Sequence, residues 1–387
     1  MSNEAPKEQG RTTGDSRRLR HNLRLVNSYT KLLSPRTADR SRSDTSAELL
    51  SGTTREHMSK KFNVCGLGNA VVDIFLELDE QAFGQLGFER GTMRLVELDE
   101  QESLLEKFHD GEHDLKLVSG GSVANSIIAT TQLGGTGAFI GCVGDDRYGL
   151  HYAEEFEQLN IDIGNPVLVG ERTGTCLAIV TPDAERTMRT CLAVSSKLAA
   201  RHVDAQRIID SEWLFIEGYV FANPETGQGA IREAIKIAKQ NDTKVALTAS
   251  DGFIPEVFGD AFRDALQESD LVFCNAPESV AITRAENTEE ASKRLADMVP
   301  NSVVTDGENG AFVRYAGDAF HVPAVQSQPK DLTGAGDMFA GAFLFGVTNG
   351  FTAEQAARGA NFLCHKVISQ VGARLSSGAT DYWKEVV

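Results

Sequence analysis

Asp337 is the side chain best placed to do chemistry. It follows Gly334, Ala335 and Gly336 in DLTGAGDMFAGAF, where small residues give way to Met338, Phe339 and Phe343 in what reads as an apolar helix. A helix starting near Ala335 aims its free N–H groups and positive dipole end at the TGAG loop, which makes that loop an anion cradle. No GxxxxGK[ST] run occurs in the chain, so the cradle would work without a Walker lysine. Beside it, Asp337 can take a proton from a hydroxyl as that hydroxyl attacks phosphorus. An acid at a helix start also gains roughly 0.3–1 kcal/mol from the dipole. That accounts for the acid and leaves the three small residues before it unexplained.

Other polar and glycine residues fall just after short apolar runs, and in open α/β sheets ligands bind at the carboxyl ends of strands. Asn69 and Asp73 follow the first such run in GLGNAVVDI. Gly66 and Gly68 there form a G-x-G, but Val71 stands where a third dinucleotide-binding glycine belongs, and a tight turn explains them equally well. Asp73, between Val72 and Ile74, needs a partner if enclosed, and a sugar hydroxyl would serve. In SGGSVANS, Gly120 and Gly121 precede a helix with Asn125 one turn inside. They are either an ordinary loop or a backbone against which a substrate lies flat while Asn125 bonds a hydroxyl. NAPES sets Asn275 and Glu278 on one face of a helical turn, as a cap or as holders of the water shell of Mg²⁺. Thr305, Gly307 and Gly310 in TDGENGAF read first as a hairpin turn. Arg186 is either a solvated charge or a lid arginine closing over transferring phosphate. Tyr219 and Phe221 either pack the core and lid or stack on a purine.

These residues need a frame to hold them. From Lys61 onward, FNVCGL, GAFIGCV, WLFIEG, KVALTA, DLVFCN and SVVTD are short apolar runs ended by Gly, Asn, Asp or Ser, as expected of strands buried on both faces. Helical patterns fall between them. Ala124, Ile127, Ile128 and Thr131 follow i, i+3, i+4, i+7 spacing with Gly134 closing the helix, and Thr352 is placed to cap another. This alternation predicts a mainly parallel sheet with helices on both faces. Two stretches, at about 74–98 and 165–194, instead alternate like half-exposed strands and predict a small sheet over one edge of the main domain.

The chain has 387 residues, 41% apolar and 24% charged, enough for a sizeable core and too apolar for wholesale disorder. No run of eighteen apolar residues exists, which argues against a membrane span. Cys65, Cys142, Cys176, Cys191, Cys274 and Cys364 lie far apart without a CxxC pair and read as core filler in a reducing, cytoplasmic setting. Residues 1–61 hold 13 Lys/Arg against 7 Asp/Glu, while the whole chain carries −17. The body is therefore acidic, and nucleic acid is a poor partner for it. Residues 1–57 read as a disordered basic arm, or as sequence ahead of a start at Met58, in preference to a targeting segment.

At the level of motifs, DLTGAGDMFAGAF resembles the C-terminal signature of the ribokinase-like (PfkB) family of sugar and nucleoside kinases. SGGSVANSIIATTQLGG with GCVGDDRYG resembles its N-terminal signature, and the likeness runs from about Phe62 to about Leu375. The resemblance implies a three-layer αβα sandwich with a mainly parallel sheet and a small β lid, in one kinase domain over 58–387. It implies ATP-dependent phosphorylation of a CH₂OH group with Mg²⁺, and leaves room for a monovalent cation such as K⁺. By position, Asp337 would be the base and Gly334, Ala335 and Gly336 the anion hole, with Arg186 among the catalytic residues. Asn275 and Glu278 match the family's N-x-x-E metal and phosphate motif. Asn69, Asp73, Gly120, Gly121, Asn125 and Tyr219 would meet the substrate, and Asn275, Thr305, Gly307, Gly310 and Asn361 the nucleotide. GLGNAVVDI, GGSVANS, GTC and EGYVF look most like adenosine kinases, although Ala70 and Thr333 stand where animal adenosine kinases carry Pro and Asn. The implied partner is a small nucleoside or sugar, with ribose or fructose as the alternative to adenosine, and the implied assembly a monomer or homodimer. A nicotinamide-dependent dehydrogenase built on GLGNA would leave Asp337 without a task. A catalytically silent binder would leave the intact GAGD and N-x-x-E unexplained.

Overall fold

The computed structural model describes residues 60–108, 115–183 and 185–387. The expected basic arm, 1–57, lies outside them. In chain order the strands are β1 (Phe62–Leu67), β2 (Val71–Glu77), β3 (Met93–Leu95), β4 (Lys116–Gly120), β5 (Gly137–Ile140), β6 (Val143–Gly144), β7 (Ile161–Ile163) and β8 (Val167–Leu168). They continue as β9 (Gly174–Val180), β10 (Arg186–Cys191), β11 (Ser211–Ile216), β12 (Lys244–Thr248), β13 (Leu271–Asn275), β14 (Asn301–Thr305), β15 (Ala311–Tyr315) and β16 (Asp318–Val322). The main sheet has the order β16-β15-β14-β13-β12-β11-β1-β5-β7. It is parallel from β7 to β14, and β15 and β16 extend it as antiparallel hairpins.

Why these runs form strands shows in where their side chains go. Trp213, Phe215, Leu271 and Phe273 enter one core, and Leu214, Ile216, Val272 and Cys274 enter another on the opposite face. A strand with both faces covered must be apolar throughout, which is the pattern of WLFI and LVFC. The helices Ser122–Gln132, Ala335–Thr348 and Ala353–Ile368 cover the first face, and Gly227–Gln240 and Gly259–Gln267 the second. The result is the three-layer αβα sandwich. Thr352 caps its helix, its hydroxyl accepting from Gln355 N and Gln355 returning the bond in a capping box.

A five-stranded sheet of order β3-β10-β9-β2-β4 stands apart from the main one. The two stretches set apart by their alternation supply β3, β9, β10 and most of β2. Its fifth strand, β4, comes from outside both and leads directly into the Ser122–Gln132 helix. β2 in turn follows β1 after only Gly68, Asn69 and Ala70, so the small sheet is hung from the carboxyl end of the main one. No helix among the described residues is long and apolar enough to cross a membrane.

Candidate active site

Two helix starts meet at Asp337. The Ala335–Thr348 helix begins after Gly334 without a side-chain cap, so its first N–H groups face outward from the GAG turn. Ser122 Oγ donates to Asp337 Oδ1 at 2.6 Å, and Asn125 Nδ2 donates to Oδ2 at 3.0 Å, both from the first turn of the Ser122–Gln132 helix. Asp337 is half-buried and lines a cavity; its withdrawal from water pushes its carboxyl up to about 6 against the pull of both donors. A carboxylate ionised near neutrality, with both oxygens oriented, is suited to take a proton from a hydroxyl.

The glycines around it do three different things. Gly334 has φ +77, and a Cβ there would come within 2.4–2.6 Å of Ala373, so both turn and packing demand glycine. Gly121 has φ +112 with Asn69 O 2.1 Å from where a Cβ would be, which brings the β1–β2 connection and the helix start together. Gly336 is the exception. It is helical with nothing within 4 Å of a built Cβ, so neither its backbone nor its neighbours require glycine. What a side chain at Gly336 would fill is open space in the site.

Gly336 lines two neighbouring cavities. One of about 220 Å³ is lined by Ser122, Asn275, Glu278, Thr305, Gly336 and Asp337 among others. A second of about 410 Å³ is lined by Thr305, Gly307, Gly310, Gly336 and Asn361, with apolar walls from Ala324, Val325, Phe339 and Ile368. The residues expected at a nucleotide therefore converge, with Gly336 and Thr305 shared between the cavities. Gly307 and Gly310, with φ +52 and +100, form the turn between β14 and β15, so the hairpin reading holds alongside. Asn361 donates through Nδ2 to Pro323 O at 2.6 Å. A further cavity of about 490 Å³, beside Gln101 and Tyr148, contains none of the expected site residues.

Asn275 and Glu278 form a capping box: Asn275 Oδ1 accepts from Glu278 N, and Glu278 Oε2 accepts from Asn275 N, each at 2.9 Å. Glu278 is 6% exposed, and burial pushes its carboxyl up to about 7. The cap reading is thus satisfied. The same carboxyl lines the small cavity, so the metal reading is not displaced by it.

On the lid side, Asp73 sits mid-sheet in β2 between β4 and β9. Gly120 admits it, since a Cβ there would be 2.6 Å from Asp73 Oδ2. Burial pushes Asp73 up to about 6 even though Arg374 and Arg186 pull it down. Asn69 donates through Nδ2 to Glu217 Oε1 at 2.6 Å, and Glu217 Oε2 accepts from the backbone of Asn69 and Val123. Asn69 thereby orders the junction of β1, β11 and the Ser122–Gln132 helix. Arg186, on β10, reaches across to the loop that leads into the GAG turn: its Nη2 lies 2.8 Å from Asp331 Oδ2, an ion pair whose angle falls short of a hydrogen bond, and its Nη1 donates to Thr333 at 3.3 Å. Tyr219 lies beyond β11 against Phe253, packed on the second core, and is not among the residues lining the Asp337 cavity.

Sequence reasoning missed Ser122, Glu217, Asp331, Glu155 and Arg374. Glu217 carried a signal, an acid closing the apolar run WLFIE as Asn275 closes LVFCN. Glu155 and Arg374 carried none, being an acid on an ordinary amphipathic helix and an arginine in a loop.

The family description "pfkB family carbohydrate kinase" matches residues 92–379. An adenosine kinase of Saccharomyces cerevisiae is 25% identical over 339 residues, 82% of this chain and 98% of that protein. A fructokinase of Klebsiella pneumoniae is 26% identical over 259 residues, 64% of this chain and 82% of that protein. Among solved structures, an adenosine kinase from Sinorhizobium meliloti superposes with a TM-score of 0.75 at 30% identity, covering 84% of this chain and 100% of that one.

Proposed function

The chain belongs to the pfkB family of carbohydrate kinases and is a phosphotransferase with an alcohol acceptor, and from that premise we propose that it transfers phosphate from ATP to the CH₂OH hydroxyl of a nucleoside, adenosine foremost, giving AMP. The observation that carries this reading is Gly336: it lines both cavities beside Asp337, which lines the smaller one, so a phosphate tail from the larger cavity is brought next to the oriented carboxylate that an acceptor hydroxyl would meet.

ATP would supply the phosphoryl group from the 410 Å³ cavity, against Thr305, Gly307, Gly310 and Asn361, with Mg²⁺ near Asn275 and Glu278 neutralising its phosphates. Asp337 removes the acceptor proton, and Ser122 and Asn125 keep its oxygens aimed. The N–H groups at the start of the Ala335–Thr348 helix stabilise charge that grows on the transferred group. Asp73 accepts from a second hydroxyl of the acceptor, and Arg186 brings a positive charge from the lid to the anion loop.

A sugar acceptor is the second reading, favoured by the fructokinase likeness and by Tyr219 packing on Phe253 and the second core. The test is ADP release with ATP and Mg²⁺ across adenosine, ribose and fructose. Adenosine should lead in kcat/KM by at least about tenfold, equivalent to ~1.4 kcal/mol of base contact. Fructose or ribose ahead of adenosine would remove the nucleoside assignment and leave the sugar kinase.

A further inference from the structure

Arg374 lies in the loop after the Ala353–Ile368 helix and is held there on several sides. Gly372 N donates to Asp331 Oδ2 at 2.7 Å, Ala373 packs against Gly334, and Leu375 O accepts from Gln132 Nε2 at 2.8 Å. The side chain is 12% exposed and reaches into the acceptor side of the site. Its Nε donates to Asn125 Oδ1 at 3.3 Å, and its Nη1 donates to Glu155 Oε1 at 3.0 Å. Glu155 Oε2 accepts from Ser119 N on β4 at 2.7 Å and faces His151 Nε2 at 3.4 Å. A continuous path therefore runs from lid strand β4 through Glu155, Arg374 and Asn125 to Asp337.

We infer that Arg374 is a positioning residue for phosphoryl transfer, fixing the Asn125 amide so that its NH₂ rather than its carbonyl faces the base. The reason lies in what an amide can do. Asn125 turned by half a rotation would present its carbonyl to Asp337, and a protonated Asp337 would donate to it, holding the proton the base must shed. Enclosure already favours that protonated form. A guanidinium has only donors, so it excludes the turned amide by meeting its NH₂ with N–H. Glu155 keeps the guanidinium in place: burial pushes its carboxyl up, but Arg374, the Ser119 backbone N–H and His151 outweigh burial and hold it below the usual carboxylate range.

This inference rests on the kinase reading of the same site, and its test separates the two. Rates are taken with whichever acceptor the unmodified chain turns over fastest, so failure of adenosine alone leaves the test intact. Arg374→Met should lower kcat by about tenfold, the size of one lost hydrogen bond to an oriented polar group, with KM for ATP within about twofold. Arg374→Lys, which keeps the charge but cannot span Asn125 and Glu155 together, should fold and still lose kcat. In an Asn125→Leu background, adding Arg374→Met should change kcat by less than about twofold, because the arginine acts through that amide. Independent, multiplying losses in that double variant, or near-normal kcat in Arg374→Lys, would overturn the assignment.

Discussion

Asn125 Nδ2 meets Asp337 Oδ2 at 3.0 Å across 212 positions of chain, so the start of one helix orients the acid carried by the start of another. Neither helix could place that carboxylate alone. The Ala335–Thr348 helix brings the acid, and the Ser122–Gln132 helix decides which way its lone pairs point. The lid strand β4 runs straight into the second of these helices, so the small sheet is continuous with the helix that orients the Asp337 carboxylate.

Asp337 sets activity against stability. Its carboxyl titrates near 6, above the ordinary value of 3.8, because protein encloses it. An acid whose folded pKa is raised contributes most stability when protonated, and that contribution fades as pH rises through the folded pKa. Asp337→Asn should therefore lose kcat by roughly 10²–10⁴ while melting at a higher temperature than the parent at about pH 8. The melting advantage should shrink toward about pH 4. Thermal scans at the two pH values check the second claim, and equal offsets at both would refute it.

Gly336 and Gly334 should respond in opposite ways. Gly336→Val meets open space, so the chain should fold with little change in thermal midpoint. Its turnover should fall by at least about 10²-fold, the cost of misplacing reacting groups by about an ångström. Gly334→Ala puts a Cβ into Ala373 at φ +77 and should destabilise the fold itself. A fully active Gly336→Val would mean that the space it borders is not part of the reaction path.

Glu278→Gln separates the cap from the metal. Glutamine also completes a capping box, so the Ala276–Thr283 helix should survive the change. The variant loses the negative charge at the small cavity, and the Mg²⁺ concentration for half-maximal rate should rise by about tenfold or more. In the parent, apparent Mg²⁺ affinity should improve as pH climbs through about 7, where this buried carboxyl ionises, and the variant should lose that slope. Magnesium titrations at three pH values would show it.

Much of the main domain was legible because both faces of its sheet are covered. WLFI and LVFC alternate between two cores, which requires an uninterrupted apolar run and makes such strands easy to read. β4 was harder: only its last two residues are buried, and KLVSG ends in the glycine that admits Asp73. Gly336 stood out in the sequence, and the structure shows why, since it is a glycine that neither backbone nor packing requires. The Glu155–Arg374 ion pair was out of reach because its partners are 219 residues apart and neither lies in a distinctive run. Contacts of that kind come from the topology, through a loop pinned against the GAG turn.

The last prediction concerns Arg186 and Asp331, which join the lid to the loop before the GAG turn with both side chains 9% exposed. Two roles are open to the arginine. As a latch only, it would matter through its pairing with Asp331, and removing either partner would cost about the same. As a donor to the transferred phosphate, it would matter beyond that pairing. Asp331 is also held by Gly372 N and Thr333 N, so an asparagine there keeps part of its hydrogen bonding and leaves the arginine in place. The position of Arg186 beside Thr333, at the mouth of the GAG turn, favours the second role. Arg186→Met should accordingly lower kcat by about 10²–10³, the range for losing one donor to developing charge. Asp331→Asn should be milder by at least about tenfold. Moderate salt should not imitate either variant, because a pair this enclosed is screened little. Equal losses in the two variants would reduce Arg186 to a latch.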